Sequence, residues 1–117
     1  MSLLIKRLES NALRELSLFF AKDSRNSKLK EVTVTEVRIT NDLSFMTIFW
    51  TSYIPKDRGA CKDALEEAKS YIRRELAKKL NARKMPELIF QYDEALEYGN
   101  KMNEIISKLN IKPEDNE

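Results

Sequence analysis

Between Lys69 and Lys84 the chain places Lys69, Arg73, Arg74, Lys78, Lys79, Arg83 and Lys84, seven cations against the single acid Glu75. Cations at that density can pair with acids on their own helix, as Glu66 and Glu67 would allow, or neutralise the phosphates of a polyanion. At helical spacing Lys69 and Arg73 fall in one row and Arg74 and Lys78 in the next. Two parallel basic rows can follow a phosphate backbone, so the chemistry expected here is electrostatic binding of RNA, in which charge positions the strand without reading its bases. A second basic set, Lys6, Arg7, Arg14, Lys22, Arg25, Lys28 and Lys30, extends the footprint if the helix that carries its first members packs beside the stripe.

Reactive chemistry has few candidates. There is no histidine, and the single cysteine, Cys61, can make neither an internal disulfide nor a multi-cysteine zinc site. Without histidine, the serines and threonines lack the usual base for a nucleophile pair. Asp93, Glu94 and Glu97 lie close enough in sequence to suggest a two-metal nuclease, but a helix start explains them better, with Asp93 as cap and the glutamates complementing the dipole. Cys61 at a helix start could have a lowered thiol pKa, whereas its place in an apolar stripe reads as a small buried side chain. Phe49 and Tyr53 could stack on bases, yet strand aromatics more often pack on a neighbouring helix, which is the expectation adopted. No catalytic residue, metal or cofactor is expected.

The elements that must position these residues follow from periodicity. Ile5, Leu8, Ala12, Leu16 and Phe19 or Phe20 recur at helical spacing, which predicts an amphipathic helix from Leu4 to Phe20. The polar run KDSRNSKLK then forms a basic loop. Val32 to Thr40 is rich in β-branched residues and reads as a strand whose apolar positions change parity between Val34 and Val37, which asks for a bulge or for cover on both faces. Asn41, Asp42 and Leu43 turn the chain into an antiparallel strand from Phe45 to Tyr53. Met46, Ile48 and Trp50 share one of its faces and Phe45, Thr47, Phe49 and Thr51 the other, so it is either covered twice or exposes aromatic groups.

Pro55 to Gly59 leads into a long helix with the stripe Cys61, Leu65, Ala68, Ile72, Leu76 and Leu80. Pro86 stops it, and Leu88, Phe90 and Tyr92 alternate with Glu87, Ile89 and Gln91 in a third strand. A helical crossover makes the second and third strands parallel if they are neighbours. A last helix is expected from Glu94 to about Leu109, burying Leu96, Met102, Ile105, Ile106 and Leu109, with a bend at Gly99; the tail KPEDNE is expected to be disordered.

A chain of 117 residues, 42% apolar and 34% charged, suits one domain, taken as residues 1–109, followed by the tail 110–117. No apolar run approaches the ~20 residues that cross a bilayer, and MSLLIKRLES is unlike a signal peptide, so a cytoplasmic protein with no membrane partner is expected. The net charge of +2 conceals a division. Residues 1–86 carry 18 basic and 11 acidic groups, and residues 87–117 carry 3 and 8. A basic body with an acidic end fits a nucleic-acid binder with one face kept off the phosphates.

With VTVTEVRITNDLSFMTIFW in the hairpin and YIRRELAKKLNARKMPELIFQYDEALEYGNKM after it, the chain resembles the ribosome-binding factor A family over most of residues 3 to 109. The TVT-V-DLS hairpin and the IR-EL, K-PEL-F-YD and YG elements carry the likeness through their joint order. The resemblance implies an α+β, type II KH-like domain, in the order helix, strand, strand, helix or helix pair, strand, helix, with a three-stranded sheet and helices on one face. It further implies a factor that binds 16S rRNA in the precursor of the small (30S) ribosomal subunit near the decoding region, assists late maturation and rRNA processing, leaves afterwards, and serves cold adaptation. An ordinary KH domain clamps the backbone with a Gly-x-x-Gly loop, which Gly59 and Gly99 cannot form. In the family an Ala-x-Gly kink between two helices replaces it; the matching positions are Ala68, Lys69 and Ser70. Serine lacks glycine's φ freedom, so a kink held by a backbone hydrogen bond and a smooth helix from Asp63 to Leu80 are both open.

The site expected on these grounds is Lys69, Ser70, Arg73, Arg74, Lys78, Lys79, Arg83 and Lys84, joined by Lys6, Arg7, Arg14, Lys28 and Lys30, in a monomer with no small-molecule substrate. The rivals are a protein-binding adaptor built on the last amphipathic helix and exposed sheet edges, and the metal-dependent nuclease.

Overall fold

The computed structural model describes residues 3–22, 26–82 and 84–94. The expected last helix beyond Glu94, its bend at Gly99, the tail 110–117, and Arg25 and Arg83 lie outside the described residues.

Helix α1 spans Leu3–Lys22 and buries Ile5, Ala12, Leu16 and Phe20, positions that return to one side of a helix with 3.6 residues per turn. A 3-10 turn at Leu29–Glu31 precedes strands β1, Val32–Ile39, and β2, Phe45–Ser52. In the turn between them Leu43 takes φ 62°. Thr40 Oγ1 accepts hydrogen bonds from the backbone N–H groups of Ser44 and Phe45, each at 3.1 Å. Asp42 Oδ1 accepts one from Ser44 N–H at 3.0 Å. Hydrogen bonds from Ser44 and Thr40 hold the Asp42 carboxyl below the usual carboxylate range. A second 3-10 turn, Pro55–Asp57, enters helix α2, Arg58–Leu80, and β3 covers Glu87–Tyr92.

The sheet order is β1-β2-β3, with β2 antiparallel to β1 and parallel to β3, so α2 is the crossover that parallel neighbours require. Val34 pairs with Trp50 while Glu36 pairs with Phe49, which leaves Thr35 as an extra residue in β1. That bulge is why the apolar parity of β1 changes between Val34 and Val37. The Thr35 hydroxyl donates to the Asp93 carboxylate at 2.7 Å and so ties β1 to the residue that follows β3.

Helices α1 and α2 cover one face of the sheet. Met46, Ile48 and Trp50 of β2 share a core there with Leu16, Phe20, Leu65 and Ile72, all at most 1% exposed. Truncating one of these aliphatic side chains to alanine would cost about 2–5 kcal/mol. The other face of β2 is covered by no helix among the described residues. Phe45 is 42% exposed, Ile89 of β3 41% and Tyr53 68%, and Phe49 is half-buried. Neither α1 nor α2, which lie on the Trp50 side, covers Phe49 and Tyr53, expected to pack on a helix; the expected last helix lies outside the described residues.

Of the two alternatives left open at Ser70, α2 takes the uninterrupted helix. Ala68, Lys69 and Ser70 lie inside α2, which runs for 23 residues without interruption. Serine keeps ordinary helical φ at a small cost in propensity, whereas the backbone freedom that favours a break belongs to glycine. The helix ends instead at Asn81, in the left-handed region at φ 53° and ψ 42°. Asn81 N–H donates to Lys78 O and Ala82 N–H to Ala77 O, each at 3.3 Å, which satisfies carbonyls that the helix end leaves unpaired.

Candidate nucleic-acid interface

The core face of α2 is built from Cys61, Ala64, Leu65, Ile72 and Leu76. Helical geometry therefore turns Ser70, Arg73, Arg74, Lys78 and Lys79 outward, where all are exposed, while Lys69 is half-buried. These outward cations are put to different uses. Arg73 Nε donates to the carbonyl of Pro86 at 3.0 Å and its Nη2 to that of Met85. Arg73 thus fixes the segment that enters β3, because a guanidinium fork can satisfy adjacent carbonyls at once, a clamping role that the sequence did not indicate. Lys69 pairs with Glu66 at 3.1 Å and lies 5.9 Å from the Phe90 ring centroid, which draws the Lys69–Arg73 row toward β3.

The neighbouring row faces water. Arg74 sits 5.7 Å from the ring centroid of Tyr71. Lys78 reaches Glu75 at 3.3 Å yet keeps 67% of its side chain exposed, a surface pair worth ~0–1 kcal/mol and weakened by salt. Lys79 is exposed, and Lys84 is exposed with its ammonium 3.5 Å from the Asp42 carbonyl.

The fold gathers further cations at the hairpin end of the sheet. Glu87 N–H donates to Ser44 O at 2.9 Å, so the segment leaving α2 meets the β1–β2 turn. The first turns of α1 arrive there too, since Glu9 Oε2 accepts from Ile39 N–H at 2.8 Å. Lys6 and Arg7, both exposed, therefore stand at the same end of the sheet as Lys84 and the last turns of α2. Arg14 is exposed farther along α1, 3.7 Å from Glu15.

Lys28 and Lys30 belong to the opposite end. Lys28 Nζ is 3.0 Å from Asp57 and 3.2 Å from Glu31, whose side chain is only 10% exposed. Its pKa is raised, first by the hydrogen bond to Asp57, and the Asp57 carboxyl is held low chiefly by Lys28. Lys28, expected to contact RNA, is thus already paired with two carboxylates from separate turns. Lys30 is exposed, but it lies a strand length, about 25 Å, from the hairpin end.

The acidic group at the end of β3 is dispersed. Asp93 takes the Thr35 hydroxyl, and Glu94 pairs at 3.1 Å with Arg58, which stacks 4.0 Å from the centroid of Tyr92. Glu97 lies outside the described residues. Among the described residues no group of three His, Cys, Asp or Glu side chains could hold a metal ion, so the nuclease geometry is not assembled from Asp93 and Glu94. Cys61 is buried, and desolvation pushes its thiol pKa up, opposite to the activation that a helix start would favour. Sequence reasoning did not single out Tyr71, which joins the outward row to α1. A signal was present, since an aromatic one position off the apolar stripe and beside paired arginines is placed to leave the core.

The family model described as ribosome-binding factor A matches residues 5–106. Ribosome-binding factor A of Phytoplasma mali is 41% identical over 113 residues, 94% of this chain and 99% of that protein. The crystal structure of ribosome-binding factor A from Thermus thermophilus superposes with TM-score 0.62 at 24% identity, over 75% of this chain and 94% of its own. A homology model of the Thermus thermophilus factor, fitted into a cryo-EM map of its 30S complex, gives TM-score 0.58 at 23% identity, over 81% of this chain and 97% of its own.

Proposed function

The chain belongs to the ribosome-binding factor A family, and on that premise we propose that it binds 16S rRNA of the immature small ribosomal subunit through the outward cations of the hairpin end. Arg74, Lys78, Lys79 and Lys84 form the centre of the site, with Lys6 and Arg7 beside them, and Ser70 and Arg14 are peripheral; Arg83 is assigned to it from the sequence alone. The observation that carries this reading is the contrast within α2, where one cation row serves the fold and the next is left to solvent.

The factor acts as a cytoplasmic monomer without catalysis. It favours an immature rRNA conformation during late maturation and processing and leaves when its affinity falls. Binding energy is its only tool, so its effect equals the difference in affinity between the immature and mature particles. Each ~1.4 kcal/mol of that difference is a tenfold bias.

Co-sedimentation of the protein with purified small and large subunits over a salt series tests the proposal. Selective, salt-sensitive binding to small subunits is expected, lost when Arg74, Lys78 and Lys79 are changed together to glutamate. Undiminished sedimentation of that variant with small subunits would overturn the site. A protein-binding adaptor is the second reading, favoured by the exposure of Phe45, Tyr53 and Ile89 on the side of the sheet away from α1 and α2; it predicts association that salt barely weakens.

A further inference from the structure

Beside the outward row, α1 and α2 enclose a groove of about 400 Å³, with Leu18, Phe19 and Lys22 on one wall and Tyr71, Glu75 and Lys79 on the other. The rings of Phe19 and Tyr71 stand 5.9 Å apart at 47°, and Leu18 is 46% exposed. Tyr71 also lies under the Arg74 guanidinium, so the groove is continuous with the proposed phosphate-binding row.

Its charges are arranged for an anionic chain with a polar heterocycle. Glu15, which also lines the groove, is neighboured by Arg14 at 3.7 Å, and Glu75 by Lys78 at 3.3 Å. Each carboxylate thus has its own cation. Among the described residues, no carboxylate holds Lys22 or Lys79. Cations therefore outnumber acids around an aromatic, partly apolar slot, a combination suited to single-stranded nucleic acid. An amphipathic protein helix needs apolar anchors over two or more turns, whereas here a short apolar floor lies between charged rims.

We propose that this groove receives one unstacked base of single-stranded RNA, a reading that rests on the RNA-binding function proposed above. The base stacks against Phe19 and Tyr71, its flanking phosphates meet Lys22 and Lys79, and an exocyclic amino group donates to Glu15 or Glu75. Adenine, cytosine and guanine carry that donor and uracil does not, so the groove supplies a base preference that the phosphate contacts lack.

The test uses the full chain with p-benzoylphenylalanine in place of Leu18, irradiated on purified small ribosomal subunits. The expected product is a crosslink to an rRNA base. Capture of a ribosomal protein, or of residues 95–117 of the chain itself, would overturn the proposal. In parallel, Tyr71→Ala should weaken small-subunit binding about tenfold at fixed salt through lost stacking, with the salt slope unchanged and Tyr71→Phe binding like the parent. Equal binding by Tyr71→Ala and the parent would also overturn it, while leaving the broader function standing. If the parent itself fails to bind small subunits, both readings fall together. Should Tyr71→Ala not fold, the crosslink from the exposed position 18 decides alone.

Discussion

The two ends of the sheet carry cations of the same kind and use them in opposite ways. At the end where α2 begins, Lys28 is held between Asp57 and Glu31, joining two 3-10 turns that stand 29 and 3 residues from it. At the hairpin end, Lys79 and Lys84 are exposed and Lys78 makes only an open surface pair. Arg73 lies on the outward side of α2 but sides with the first group, since its guanidinium is occupied by the carbonyls of Met85 and Pro86. Counting positive charge therefore overstates an RNA footprint. What matters is whether the fold has already supplied a cation with an acceptor, because a cation so held has less to gain from phosphate.

Charge reversal is the strongest way to break this comparison. Arg74→Glu, Lys78→Glu and Lys79→Glu together should reduce small-subunit affinity by roughly 100-fold or more and lower the salt slope by roughly 2–3, while the melting temperature stays close to that of the parent. Lys28→Glu should do the reverse, lowering the melting temperature and leaving the salt slope alone. A slope that responds equally to both would erase the distinction between the two ends.

A smaller effect is expected from Arg73→Ala, which removes charge-assisted bonds to the approach of β3 and should destabilise the domain by about 1–3 kcal/mol in denaturant titration. If it left stability untouched and weakened RNA binding alone, Arg73 would belong with the outward row after all.

The pH dependence sharpens the contrast further. The Asp57 carboxyl is held low by Lys28. Its share of stability is therefore present above the unfolded carboxylate value, about 3.9, and is lost as pH falls through the lower folded value. Lys28 is shifted upward, so its share is present below about 10.4 and is lost as pH rises through the higher folded value. Melting temperatures measured from acid to alkaline pH should thus fall at both extremes, and Lys28→Met should flatten both limbs. Unaltered limbs in that variant would show that the pair contributes nothing to them.

The smallest change is Ser70→Gly, which gives α2 the backbone freedom of glycine at the position where the resemblance implies a kink. On an exposed, uninterrupted stretch of α2 it should cost about 0.5 kcal/mol. A gain in stability would mean that α2 is strained at Ser70.

Much of the fold was legible because the signals are local. The alternation of β2 and the parity change between Val34 and Val37 were both visible in the residues, and the pairing register decided for the bulge over cover on both faces. The α2 stripe likewise marked Cys61, Leu65, Ile72 and Leu76 as buried. The site was legible only in part. Arg74, Lys78, Lys79 and Lys84 could be proposed from density of charge, but nothing near Lys28 in the sequence marks Asp57 as its partner, and nothing near Arg73 marks the carbonyls of Met85 and Pro86. The face that α1 and α2 cover was hidden for a similar reason, since a strand's alternation says that two faces exist without saying which one a helix will cover.

By itself, then, the sequence determined the elements from α1 to β3, their order, the parity change in β1 and the excess of cations on α2, because backbone periodicity and composition are properties of neighbouring residues. The tertiary structure alone decided which cations the fold pairs, which sheet face α1 and α2 cover and which aromatics line the α1–α2 groove. Those outcomes depend on atoms brought within a few ångströms by chain closure, and the strength of a charge or an apolar surface is set by what stands opposite it.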